Sequence, residues 1–396
     1  MFGRTFTLFK MFGFAVRIDL SWLIILVLVV WSLSAGVFPH WYEDLHWGTY
    51  LGMGFAAALG LFASIVFHEL CHSLVARRYG LKMEGITLFL FGGVAEMGDE
   101  PESPKVEFLM AVAGPIASIL VSAVFFSAYY TGLALDWTMT VTGVLWWVGF
   151  INAVLAAFNL IPGFPLDGGR VLRSVIWHYT QNLRKATESA SRAGAAFGMT
   201  LIVLGFLFLL MGNLIGGLWW ILIGMFLRSA AQQGLQQVII RELLHGDTVS
   251  SFMNEAPVSV PPTISVEELV EDYVYKHHFK MFPVVDGDML SGCISTKEIK
   301  NLPREQWNQM TVADAMTSCA ADNTVSPDAD AMDALRKMSK TGISRMMVVD
   351  DGRLVGIIAL KDLLQFLSLK LELESDVPVK LPTPPTATAV EGEDAG

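Results

Sequence analysis

The stretch His68-Glu69-Leu70-Cys71-His72 lies inside an apolar segment that runs from Ala56 to Val75. On a helix, residues four apart stand one above the other, so His68 and His72 can share one metal ion. Glu69 projects at a neighbouring angle, where a carboxylate can take a proton from a water held by such an ion. Two imidazoles and a carboxylate at membrane depth are costly, and groups kept there are functional by default. The alternative is a polar cluster that seals a helix–helix contact.

Whether the segment is at membrane depth depends on the rest of the chain. Of its 396 residues, 53% are hydrophobic, well above a water-soluble protein. Residues 1–230 hold 13 Lys+Arg and 13 Asp+Glu, whereas 231–396 hold 14 and 25, so the net charge of −11 resides in the second part. Ten of the eleven Trp fall in the first part, as expected where indoles sit at membrane interfaces. A membrane domain over 1–230 followed by an acidic soluble domain is expected, and the acidity argues against a nucleic-acid partner. Cys71, Cys293 and Cys319 make no disulfide framework.

Arg4, Lys10 and Arg17 punctuate an N-terminal stretch that reads as short strands or an interfacial segment. Spans are expected at about Leu20–Phe38, Tyr50–Val75, Glu107–Tyr130 (with a break at Gly114-Pro115), Thr138–Ile161, and two shorter ones at Ala195–Met211 and Leu214–Leu227. Between the second and third, Ile86–Met97 is apolar but too short to cross, and Gly92-Gly93 would break a helix. A β hairpin re-entering the membrane fits it, where protein or water satisfies its backbone. Lys and Arg fill the N-terminal segment, 77–105, 170–192 and the region after 228, and are absent from the intervening loops. The positive-inside rule then places both termini in the cytoplasm, and a plasma (inner) membrane is expected. His68 lies nine residues before Arg77, about 13 Å below the cytoplasmic end of its helix.

A catalytic zinc takes three protein ligands, so the HExxH needs a partner. Glu96 and Asp99 are candidates. Asp167 is the better one, because Pro162, Gly163 and Pro165 break a span just before it, on the same side as His68; locally it also reads as a turn residue. Taken together, His68-Glu-Leu-Cys-His72, Phe91-Gly-Gly93, Ala113-Gly-Pro115 and Asn159…Pro162…Pro165-Leu-Asp-Gly168 resemble the site-2 protease family of intramembrane zinc metalloproteases. The resemblance implies one Zn²⁺ held by His68, His72 and Asp167, with Glu69 as the base. It places Asn159 near the substrate or oxyanion, and it implies that the hairpin at Gly92 and Gly93 receives an extended substrate. The expected function is cleavage of transmembrane segments of other membrane proteins within the lipid bilayer.

After about 230, Thr248-Val-Ser-Ser-Phe-Met253 is echoed by Thr311-Val-Ala-Asp-Ala-Met316, and Pro283-Val-Val-Asp286 by Met347-Val-Val-Asp350. A tandem repeat of strand, helix, strand, Asp-Gly turn, strand and helix follows, with copies at about 246–304 and 308–372. The copies resemble paired cystathionine-β-synthase (CBS) modules, which implies AMP or ATP as a ligand and a homodimer as an assembly. Ser295 and Glu298 in the first copy and Asp362 in the second match the nucleotide-binding positions. The first copy carries Glu for the usual Asp, and the second has Ala359 where a hydroxyl is usual. Residues 374–396, rich in Pro, Thr, Ala and acids, read as a disordered tail. Two rival functions have the same outline, a CBS-regulated transporter and a catalytically silent scaffold for membrane proteins. Both leave the HExxH and the Leu-Asp-Gly motif without a task.

Overall fold

A computed structural model describes residues 5–81, 83–89, 92–97, 101–244, 246–320 and 322–374. The expected tail, His245, Phe91 and Asp99 therefore lie outside the described residues, apart from Glu374. The chain divides into two compact units, 1–238 and 239–396.

In the first unit, strands β1 (Thr5–Met11) and β2 (Phe14–Asp19) lead into helix α1 (Leu20–Trp41). Asp19 starts that helix, its carboxylate accepting from the Ser21 backbone N–H at 2.9 Å. Helix α2 (Trp47–Arg78) carries the HExxH, and β3 (Met83–Phe89) and β4 (Gly92–Met97) follow it. Four further helices are α3 (Pro104–Ala134), α4 (Met139–Asn159), α5 (Asp167–Thr180) and α6 (Leu183–Leu210), and α7 (Leu214–Leu244) runs across the division between units. All but α5 are long and apolar enough to cross a membrane, six among the described residues.

The hairpin is part of something larger than the sequence suggested. Its strands extend a four-stranded sheet of order β1-β2-β3-β4, in which β2 and β3 run parallel with Val16 opposite Ile86. Phe14 and Ile86 bury one face of this sheet against Leu70 of α2. That contact fixes the sheet to the helix that carries the metal-binding motif.

Two details of the spans differ from expectation. Helix α3 runs unbroken through Pro115, because proline removes only one donor and a buried helix can absorb the loss. The two short spans are longer helices, since an apolar run ends where water begins but a helix ends at its cap. For α6 that cap is Asn182, which accepts from the Lys185 N–H at 2.8 Å, ahead of the charged turns containing Arg184, Glu188 and Arg192.

In the second unit the repeats form one sheet of order β5-β6-β10-β9-β8, with β7 paired to β6. These strands are β5 (Met281–Asp286), β6 (Met289–Ser295), β7 (Thr317–Ser318), β8 (Thr324–Val325), β9 (Arg345–Asp350) and β10 (Arg353–Ala359). Asp351 and Gly352 both take positive φ, 46° and 80°, the backbone that a two-residue hairpin turn requires. Val260, Leu269, Phe282, Val284 and Ile294 form the buried core of the first copy.

Candidate metal centre and active site

Helices α2 and α4 meet in a register that explains what lies beside the HExxH. Gly60 faces Val148, and one turn further on Ser64 accepts a 2.9 Å hydrogen bond from the amide of Asn152. One turn beyond Ser64 on the same helix stands His68.

His68 and His72 are 4% and 6% exposed, and Asp167 is 9% exposed. Oδ2 of Asp167 lies 3.0 Å from Nε2 of His68 and 3.1 Å from Nε2 of His72, and the two Nε2 atoms are 3.1 Å apart. Asp167 reaches this point from the first turn of α5, where the helix dipole favours a carboxylate. Gly168 and Gly169 follow it because the Leu160–Phe164 backbone folds directly onto them, leaving no space for a Cβ.

The outer nitrogens settle which atoms carry protons. Nδ1 of His72 is 2.6 Å from the carbonyl oxygen of Met110, which can only accept, so Nδ1 donates and Nε2 presents a lone pair. Nδ1 of His68 pairs with the Ser118 hydroxyl at 2.9 Å, which fixes its ring in the same sense when the hydroxyl accepts. With Ser118 accepting, three electron-rich atoms converge with no proton between the two nitrogens. A tetrahedral zinc with bonds of about 2.0 Å sets its ligand atoms about 3.3 Å apart, so the donor set fits a divalent ion. His68, His72 and Asp167 can hold a metal.

Glu69 lies on the next flank of α2, half-buried, beside the edge strand of the sheet. A Cβ on Gly93 would stand 2.9 Å from Cγ of Glu69 and 3.2 Å from Ile65, so β4 crosses the helix at the motif itself. Gly93 pairs with Leu88, and Gly92 with Phe89. Asn159 ends α4 half-buried, its amide donating to the Leu155 carbonyl at 3.0 Å. In the second unit, Ser295 and Glu298 satisfy each other: the Ser295 N–H donates to Glu298 Oε2 at 2.8 Å and its hydroxyl donates to the same oxygen, capping the short helix Thr296–Lys300. Asp362 is exposed in the first turn of helix α8 (Leu360–Glu374).

Reading the sequence alone missed Ser118 and Met110. Ser118 stands four residues after Gly114, a hydroxyl at helical spacing in an apolar span; a backbone carbonyl leaves no mark in a sequence.

Two family models match the chain. That of peptidase family M50 matches residues 56–134 and 132–205, and that of the CBS domain matches 249–305 and 312–369. A zinc metalloprotease of Methanocaldococcus jannaschii is 32% identical over 376 residues, 93% of this chain and 98% of the relative. The Rip3 protein of Mycobacterium tuberculosis is 33% identical over 359 residues, 90% and 91% of the two chains. The solved structure of a site-2 protease from Methanocaldococcus jannaschii is 28% identical with a TM-score of 0.41, and the likeness spans 59% of this chain and 95% of that one.

Proposed function

This chain belongs to peptidase family M50, and from that premise we propose that it hydrolyses peptide bonds in the transmembrane segments of other membrane proteins. It is an integral membrane metalloprotease with paired CBS domains. The observation that carries the reading is the convergence of His68, His72 and Asp167 at 3.0–3.1 Å beside Glu69 and a strand edge. A zinc ion held there supplies Lewis acidity toward a water molecule and the scissile carbonyl. Glu69 takes the proton of the attacking water and passes it to the leaving amine. Asn159 steadies the oxyanion with an amide N–H, since Leu155 takes only one of its two.

A substrate helix hides its carbonyls in its own hydrogen bonds, so the cleaved stretch must first unwind. Strand addition along β4 at Gly92 and Gly93 would hold it extended. Gly93→Val is therefore expected to slow cleavage at least tenfold, its Cβ also crowding Glu69 and Ile65, and to lower activity more than stability, as read by turnover and thermal denaturation. Normal turnover would remove the strand as the presenting element. The overall reading is tested by isolating Glu69→Gln with the membrane proteins it traps, then exposing these to the wild-type protein with zinc. Fragments cut inside a membrane segment are expected; partners that stay intact would refute it.

Both termini are assigned to the cytoplasm, from the placement of Lys and Arg. The CBS pair is assigned a regulatory role with AMP or ATP–Mg²⁺ as ligand and a second copy as its dimer partner. Asp362 is exposed for a ribose, whereas Ser295 and Glu298 must give up their capping bonds to serve. Weak binding is thus expected. Calorimetry of the whole protein at millimolar AMP and ATP–Mg²⁺ checks it, and the absence of heat together with unchanged cleavage by Ser295→Ala would leave the pair a docking module.

A further inference from the structure

The mechanism leaves unused the most deeply buried ion pair among the described residues of the membrane unit. Glu107, in the first turn of α3, is 0% exposed, and Arg173 of α5 is 3% exposed. Nε of Arg173 donates to Oε1 of Glu107 at 2.6 Å, and Nη2 donates to the same oxygen. Oε2 of Glu107 accepts no hydrogen bond among the described residues. Burying two charges costs several kcal/mol each in general, and an apolar pair of like volume is often as stable or more so. An incompletely satisfied pair is therefore a poor source of stability, and its value has to lie elsewhere.

Its location points to the metal centre. Glu107, Met110, Gly114 and Ser118 recur at helical spacing along one face of α3. Met110 orients His72, Ser118 orients His68, and Gly114 leaves the space where the ligand atoms meet. Glu107 is the member of this face that reaches α5, whose first residue is Asp167. The guanidinium of Arg173 also lies 5.5 Å above the Phe164 ring, in the loop that delivers Asp167. One side chain thus ties α3, that loop and α5 together, about 9 Å along the helix from the carboxylate it serves.

We propose that Glu107 and Arg173 form a positioning pair that sets the reach of Asp167 toward the two imidazoles and thereby the affinity for the metal. The same face of α3 then registers all three ligands, two directly and one through the pair. This rests on the metal-centre reading above.

The test is zinc affinity of the full-length protein by chelator competition, beside the metal-free unfolding midpoint. Glu107→Met with Arg173→Met is expected to keep or raise that midpoint while zinc affinity falls 10- to 100-fold, the usual loss when the support of a ligand is removed. If the double variant fails to fold, Arg173→Lys, which keeps the charge but loses the planar fork, is expected to weaken zinc binding several-fold at an unchanged midpoint. Unchanged affinity in the variants, or a fall in the metal-free midpoint that accounts for the loss, would overturn the pairing role while leaving the metal centre intact. A wild-type protein that binds no zinc would instead overturn the metal centre itself.

Discussion

Glu69→Gln is expected to retain one equivalent of zinc and to lose cleavage by two to four orders of magnitude, about the contribution of a positioned general base. The amide keeps the shape of the side chain against Gly93 and Ile65 but cannot accept the proton of water. His68→Ala, His72→Ala and Asp167→Ala should behave differently, losing zinc along with activity. Each removes one of three atoms that meet at 3.0–3.1 Å. Metal analysis beside a cleavage assay separates the two classes. Full activity in Glu69→Gln would take the base role away from this residue. Full activity in Asp167→Ala would move the third ligand to Glu96 or Asp99.

Gly114→Ala should be as damaging, for a purely steric reason. A Cβ at this position would fall on Nε2 of both His72 and His68, where the three ligand atoms gather. The obstructing atoms belong to two imidazoles whose outer nitrogens are held by Met110 and Ser118, so neither ring can swing aside without losing a buried hydrogen bond. Zinc content near zero and no detectable cleavage are expected, with the protein still extracted from the membrane as a folded monodisperse species. A full equivalent of zinc in this variant would mean that the rings move freely and that α3 does not shape the site.

The sequence carried the architecture where each element leaves a local mark. Apolar runs marked the six candidate crossings, four at membrane length and two shorter than their helices, and positive charge lay in the loops at one end of them. The Asp351-Gly352 turn and the echo of Pro283–Asp286 in Met347–Asp350 marked the repeats. Elements whose reasons lie in tertiary contact were not legible. Helix α5 is amphipathic and short, follows a stretch broken by Pro162, Gly163 and Pro165, carries Gly168 and Gly169 in its first turn, and packs against α3 and α6. The parallel pairing of β2 with β3 joins segments some 70 residues apart, and neither strand announces the other. At the site, the HExxH gave its two histidines and the acid because helical spacing alone brings them together. Asp167 required a partner 95 to 99 residues away, and its local pattern fitted a turn equally well. The hydrogen bonds to Met110 and Ser118 were hidden for another reason: they depend on which face α3 turns toward α2.

Zinc K-edge X-ray absorption of the purified full-length protein bears most directly on the central claim, that His68, His72 and Asp167 make the catalytic metal centre. The expected first shell contains only nitrogen and oxygen at about 2.0–2.1 Å, with scattering from two imidazoles, and it should vanish in Asp167→Ala. A sulfur shell at about 2.3 Å would point to Cys71, inside the motif, and contradict the assignment, as would an unaltered spectrum in Asp167→Ala.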